Sequence, residues 1–212
     1  MAVETMTTCK LTLASASPRR AELLRAAGYD PEVIVPPIHE PERLGSSVPP
    51  VQQAEALSYF KARSVIGLVE SGVILGADTI VVLDGVVYGK AAGEADARRI
   101  LSTLSGTRHQ VITGVSLLSA DGRRRVIGHD CTGVTMRPMA GAALDAYIAS
   151  GAWVGKAGAY GIQDHGDVFI ERIEGSYSNV VGLPMETVAA MLRQFAGDGL
   201  TMSPAKRRLP GA

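Results

Sequence analysis

Asp78 interrupts VILGADTIVV, an otherwise almost wholly apolar stretch. An unpaired buried carboxylate is costly by several kcal/mol. Asp78 therefore has to meet a metal ion, a cation, several donors or a reacting water, or else cap a turn through nearby N–H groups. Gly76 and Ala77 just before it allow close approach of a ligand or of another backbone. Lys90 lies one hairpin away. If the chain folds back through Asp84-Gly85, a tight-turn signal, Thr79 and Lys90 reach the same end of the hairpin. Lys90 then adds positive charge beside Asp78, although a strand-end lysine taken alone reads as solvated.

A second chemical signal is LTLASASPRR, Leu11–Arg20. An apolar run ends in Ser15, Ala16 and Ser17, and Pro18 opens a helix with Arg19 and Arg20 in its first turn. Ser17 suits the N-cap and Pro18 the first helical position. A helix start favours Asp or Glu because the macrodipole's positive end lies there, and a capping box would place Glu or Gln where Arg20 stands. Two cations at that end mildly destabilise the fold unless an anion joins them. Backbone N–H groups, hydroxyls and paired guanidinia form a phosphate receptor; the plainer alternative is two solvated surface arginines. With nearby lysines and the KAGAYG loop, the set suits a phosphorylated substrate bound through a divalent ion. Mg2+ takes one or two protein carboxylates, with water and phosphate oxygens completing its shell. Glu40 and Asp78 are the candidate carboxylates, and a metal held this way depends on substrate for tight binding.

The elements that must position these residues follow from the pattern. Strand character at Leu11–Ala14 precedes the Pro18 helix, which Gly28 stops. Tyr29–Val35 reads as a second strand, followed by the proline-rich PPIHEPERLGSSVPP loop. Helical spacing over Val51–Val69 places Lys61 and Arg63 beside an apolar face. The hairpin around Asp84-Gly85 follows, then a helix over Glu94–Leu104. Gln110–Ser119 and Arg124–Met136 are strands joined at Asp121-Gly122, with three arginines on that exposed edge. A short helix at Ala140–Ser150, a strand at Asp167–Ile173, a turn at Glu174–Asn179 and a helix from Pro184 complete the chain. Interleaved strands and helices with two hairpins predict an α/β fold with a mixed sheet flanked by helices. One domain is expected over residues 10–196, with flexible termini at 1–9 and 197–212.

Bulk properties narrow the function. Lys+Arg and Asp+Glu balance at 21 each, so binding of nucleic acid by overall charge is excluded and any anion site is local. The two cysteines, Cys9 and Cys131, fit no metal or redox spacing. No apolar run approaches a membrane span and the N-terminus lacks a signal-peptide pattern. A cytoplasmic protein without membrane partners is the expectation.

LASASPRR, GADTIVV followed by GK, LSGTRHQVITGV, KAGAYGIQ and GSYSNVVGLP occur in order between about Lys10 and Phe195. Together they resemble the Maf family of nucleoside triphosphate pyrophosphatases. The resemblance implies a mixed twisted sheet in two lobes with a deep central cleft, Maf/ITPase-like. It also implies hydrolysis of a nucleoside triphosphate to monophosphate and pyrophosphate, dependent on a divalent cation (Mg2+ or Mn2+), as house-cleaning of the nucleotide pool. Asp78 matches the proton acceptor; Ser15, Arg19 and Arg20 match the phosphate-binding turn; Lys61 and Lys90 match its two lysines. Glu40 matches a carboxylate implicated in metal binding. Arg19, Thr79 and Gln163 occupy the specificity positions and look like the subgroup acting on dTTP, UTP and modified pyrimidine nucleotides, not the one preferring 7-methyl-GTP. A homodimer is a family-level expectation. Three departures stand out: His39 for the usual Asp, Ala91 for the proline of GKP, and Gly155 for the Asp before KAGAYG.

On this reading Arg20 mainly holds phosphate, Arg19 also helps select the nucleotide, and Gln163 reads the base edge. Water activated by Asp78 or by the metal attacks the α-phosphorus, and Lys61 and Lys90 neutralise the departing pyrophosphate. The alternatives are a pyrophosphatase for unusual purine triphosphates such as ITP, and a nucleotide-binding regulator of cell division that does not hydrolyse its ligand. Pure binding needs no carboxylate facing phosphate, which weighs against the regulator.

Overall fold

The computed structural model describes residues 9–37, 48–163 and 167–196. In chain order the elements are β1 (Leu11–Ala14), α1 (Pro18–Ala26), β2 (Glu32–Ile34), α2 (Pro50–Ser64), β3 (Val73–Leu83), β4 (Val86–Tyr88), α3 (Glu94–Leu104), β5 (Arg108–Ser119), β6 (Arg125–Met136), α4 (Ala142–Ala149), β7 (Ile170–Glu174), α5 (Tyr177–Val181) and α6 (Met185–Ala196). Their boundaries follow local chemistry. Gly28 leaves α1 at φ 87°, and Asp84 and Gly85 take φ 50° and 77°, the paired left-handed geometry that joins two twisted strands tightly. The expected turn over Glu174–Asn179 is different. Ser176 Oγ accepts the Asn179 N–H at 3.2 Å and starts α5. A helix this short shows no apolar period in the sequence, so only its cap was there to be read.

The seven strands of the described residues form one mixed sheet in the order β2-β1-β3-β5-β6-β7, with β4 added to β3. β1 runs parallel to β2 and β3; the remaining pairings are antiparallel. β3 is the spine. One of its edges is paired with β5 from Val73 to Val82. The other edge is divided: β1 takes Val73–Gly76 and β4 takes Val81–Leu83. Residues 77–80 lie on neither ladder, so the sheet forks there.

Both faces of β3 are covered, which is why it reads as a continuous apolar run. Val73, Leu75 and Ala77 pack with Leu24 of α1 and Leu192 and Phe195 of α6. Ile74 meets Ala62 of α2, and Ile80 and Val82 meet Ala54 of the same helix. Beyond the fork Val81 joins Leu101 and Leu104 of α3 and Leu144 and Ile148 of α4. The two lobes thus share the long strands β3 and β5, and the fork opens between them.

α2 approaches the sheet very closely. A Cβ on Gly76 would sit 2.2 Å from the Ser58 carbonyl oxygen, and one on Gly114 2.2 Å from that of Ala54. What approaches Gly76 is therefore another backbone. The Ser58 and Ser116 hydroxyls, 2.7 Å apart, pin the same contact.

Candidate active site

Asp78 stands at the fork on the α2 face of β3. Because glycines let α2 lie close, Lys61 in its last turn reaches down to the strand, with Nζ 2.5 Å from Asp78 Oδ1. Lys61 is 5% exposed and Asp78 6%. At that depth an ion pair offsets its desolvation only when contact is direct, as it is here. The cation against Asp78 comes from α2, which differs from the expectation that Lys90 supplies it. Hairpin pairing stops at Val81–Tyr88, and Lys90 instead forms a bridge with Ala157. The strand has already turned toward the other lobe.

Thr79 points to the opposite face. Its hydroxyl shares a 2.9 Å bond with Thr113, donates to the Gly182 carbonyl at 3.3 Å and accepts from Arg20 Nη2 at 3.0 Å. Arg20, 8% exposed, also donates from Nε to the Gly182 carbonyl at 2.8 Å and from Nη1 to the Ala77 carbonyl at 2.8 Å and Ser15 Oγ at 3.2 Å. The guanidinium therefore ties α1, the forked segment and the Gly182 turn together, and brings its charge to the cleft from a fixed place. Ser17 occupies the N-cap position of α1 but makes no side-chain cap. Ser15 Oγ accepts the Ser17 N–H at 3.1 Å instead. No acidic residue lies in the first turn of α1, so its positive end has no side-chain anion of its own.

Eight of the residues singled out in the sequence, Ser15, Arg19, Arg20, Lys61, Asp78, Thr79, Lys90 and Gln163, line one cleft of about 570 Å3. They come from both lobes and meet only through the fork. Glu40, with its neighbour His39, lies outside the described residues. Among the described residues no group of three or more His, Cys, Asp or Glu could hold a metal ion, and Asp78 is the carboxylate on the cleft wall. One hard oxygen ligand lining the cleft fits a Mg2+-type ion that brings phosphate and water as its other ligands. Of the departures, Ala91 packs against the α3–α4 core and Gly155 takes φ 70°, a conformation that suits glycine better than Asp.

Sequence reasoning passed over Lys156. It lines the same cleft, is 8% exposed, and donates from Nζ to the Ala152 carbonyl. The signal was a lysine opening a glycine-rich loop, but nothing in the spacing shows that this loop folds back onto the cleft. Tyr160 was also missed. It lines the cleft, and burial pushes its phenol pKa upward. Val35 and Val154, each 62% exposed, add apolar wall at the cleft.

A forked mixed sheet, an ion pair at the fork and five cationic side chains lining one cleft define an α/β protein with a cationic cleft of small-molecule size. The chain belongs to the Maf family: the family model described as Maf-like protein matches residues 10–195. A relative from Ruminiclostridium cellulolyticum, named dTTP/UTP pyrophosphatase, is 44% identical over 187 residues, covering 87% of this chain and 95% of its own. Relatives of the same name from Moorella thermoacetica and Salinibacter ruber are 44% and 42% identical, covering 89% and 93% of this chain and 96% of each relative. A crystal structure of a nucleoside-triphosphatase / dITP/XTP pyrophosphatase from Mycobacterium abscessus aligns with a TM-score of 0.40 at 21% identity, over 62% of this chain and 77% of that one. Among the described residues no helix is long and apolar enough to cross a membrane.

Proposed function

We propose that this protein hydrolyses dTTP, UTP and related pyrimidine nucleoside triphosphates to the monophosphate and pyrophosphate. The observation that carries the reading is the buried Lys61–Asp78 pair at the floor of a cleft whose walls carry four further cations. The triphosphate lies along Arg19, Arg20, Lys90 and Lys156, with the start of α1 adding its dipole. Asp78 accepts a proton from the water whose oxygen attacks the α-phosphorus. The bond from that phosphorus to the bridging oxygen breaks, and pyrophosphate leaves with its charge met by Lys61 and Lys90. Preorganised cations of this kind stabilise charge as it develops. A Mg2+ or Mn2+ would be held by Asp78 and Glu40 and would supply charge neutralisation and a more acidic water. Gln163 meets the base edge, and Val35 and Val154 offer apolar surface to its ring. The free thiols of Cys9 and Cys131 support a reducing, cytoplasmic setting.

The test is pyrophosphate release from a panel of triphosphates with Mg2+, Mn2+ or EDTA. Release from dTTP and UTP ahead of ITP and the standard purines, abolished by EDTA, is the expected result. Preferred turnover of ITP would move the enzyme to another substrate class, and no release from any triphosphate would refute hydrolysis.

A further inference from the structure

LSGTRHQVITGV contains a histidine to which the reaction above gives no task. His109, at the start of β5, is 1% exposed, and its Nε2 lies 2.8 Å from the Tyr160 hydroxyl, the rings meeting edge to face with centroids 5.5 Å apart. Among the described residues its Nδ1 has no hydrogen-bond partner. A residue serving only as core would be better as leucine, because an imidazole at this depth gives up hydration for one bond.

That bond reaches a segment under strain. Between Lys156 and Gly161 the backbone takes left-handed geometry at Gly158, φ 68°, and again at buried Ala159, φ 58°. A non-glycine residue holds such a conformation only when its surroundings impose it. Three clamps do so here. Gly158 N–H donates to the Gly89 carbonyl at 3.0 Å, Gly161 N–H donates to the Tyr147 hydroxyl at 3.2 Å, and the Tyr160 side chain is held by His109. The Lys156 stem lies directly over Gly161, where an added Cβ would be 2.6 Å from Lys156 Cε. The position of Lys156 on the cleft wall is therefore set by where this turn is held.

The geometry points to His109 as a positioning residue that acts through Tyr160 to hold the turn carrying Lys156 against the triphosphate. Donor counting sets the arrangement. If Tyr160 donates to Nε2, the one orphan is Nδ1–H; if Nε2–H donates, both the phenolic hydrogen and the Nδ1 lone pair are orphaned. The neutral imidazole accepting from tyrosine is the better-satisfied state. The inference rests on the proposed binding of triphosphate in this cleft and adds to it the means by which one wall is kept in register.

The experiment compares wild type, His109→Leu, His109→Gln and Tyr160→Phe by steady-state kinetics on dTTP. Affinity for a dTTP analogue with a non-hydrolysable α,β-imido bridge is measured alongside. His109→Leu and Tyr160→Phe should raise KM and the analogue's Kd by about tenfold, with kcat changed less than about threefold, since a displaced wall weakens ground state and transition state alike. Glutamine, whose amide reaches the place of Nε2, should restore both to within about threefold. Unchanged KM and Kd in folded His109→Leu, even with a lower Tm, would reduce the histidine to packing and overturn the inference. Failure of glutamine to rescue would do the same. Should wild type bind the analogue without hydrolysing dTTP, the proposed hydrolysis fails, while the analogue's Kd still decides the role of His109.

Discussion

Gly76→Ala is the sharpest perturbation available, because it acts on the site without touching any side chain in it. The added methyl would lie 2.2 Å from the Ser58 carbonyl oxygen, 2.8 Å from the Ala62 nitrogen and 2.9 Å from Ala62 Cβ. The closest clash is with backbone, so no change of rotamer relieves it. An ordinary contact needs roughly 1 Å more, and α2 has to lift by about that distance. Overpacking of this kind destabilises by about 1–3 kcal/mol. The same lift stretches the 2.5 Å Lys61–Asp78 contact beyond hydrogen-bond range, which removes the compensation of a buried charge and adds to the loss. Urea unfolding should show a loss of at least about 2 kcal/mol. Pyrophosphate release from dTTP should fall by about 100-fold under conditions where the variant remains folded. Gly67→Ala is the control: no atom lies within 4 Å of its added Cβ, so its stability should change by no more than about 0.5 kcal/mol. If Gly76→Ala unfolds at the same urea concentration as Gly67→Ala and retains wild-type turnover, the close seating of α2 does not govern the site.

Three further tests address single groups. Asp78→Asn should cut turnover by at least about 100-fold while nucleotide binding persists; it also removes the carboxylate charge set against the buried Lys61 ammonium, at about 3–5 kcal/mol. Adding Lys61→Met should recover stability without recovering turnover, and near-normal turnover in either variant contradicts the role given to Asp78. Arg20→Ala should lower kcat/KM for dTTP at least tenfold, a charge-assisted contact contributing about 1.5–3 kcal/mol. It should also lower the urea midpoint, because the Ala77 and Gly182 carbonyls lose the guanidinium as a donor; full stability would show that the guanidinium serves substrate alone. Stability should also depend on pH through His109, whose imidazole burial pushes from 6.5 down to about 4. The unfolded chain takes up this proton between those values and the folded one does not, so stability falls as pH falls through that window. The contribution is about 2 kcal/mol between pH 7 and pH 5, and His109→Gln should remove it from the urea-derived stability curve; an identical pH slope in the variant excludes His109 as its source.

Much of the fold was legible because it rests on local rules. The Asp84-Gly85 hairpin and the Gly28 stop follow from backbone sterics, which act within a few residues. The rule-breaking arginines after Pro18 and the carboxylate inside an apolar strand were visible for the same reason, since a local preference violated is a local signal. Five short motifs in order carried the family. Partnership between distant residues was decided elsewhere. The divided edge of β3, where β1 hands over to β4, is a property of the whole sheet, and that fork turns Asp78 and Thr79 into cleft residues. Whether Asp78 would meet Lys61 or Lys90 depended on how closely α2 sits, and Gly76 alone left ligand and backbone equally open. That Arg20 reaches the cleft anchored on a carbonyl of Gly182, 162 positions away, could not be read from its place after Pro18. The sequence by itself determined which residues carry charge, where the chain turns and which stretches must be buried. The tertiary structure decided who faces whom, because the energy of a buried charge or an unpaired hydrogen-bonding group depends on neighbours brought from across the chain.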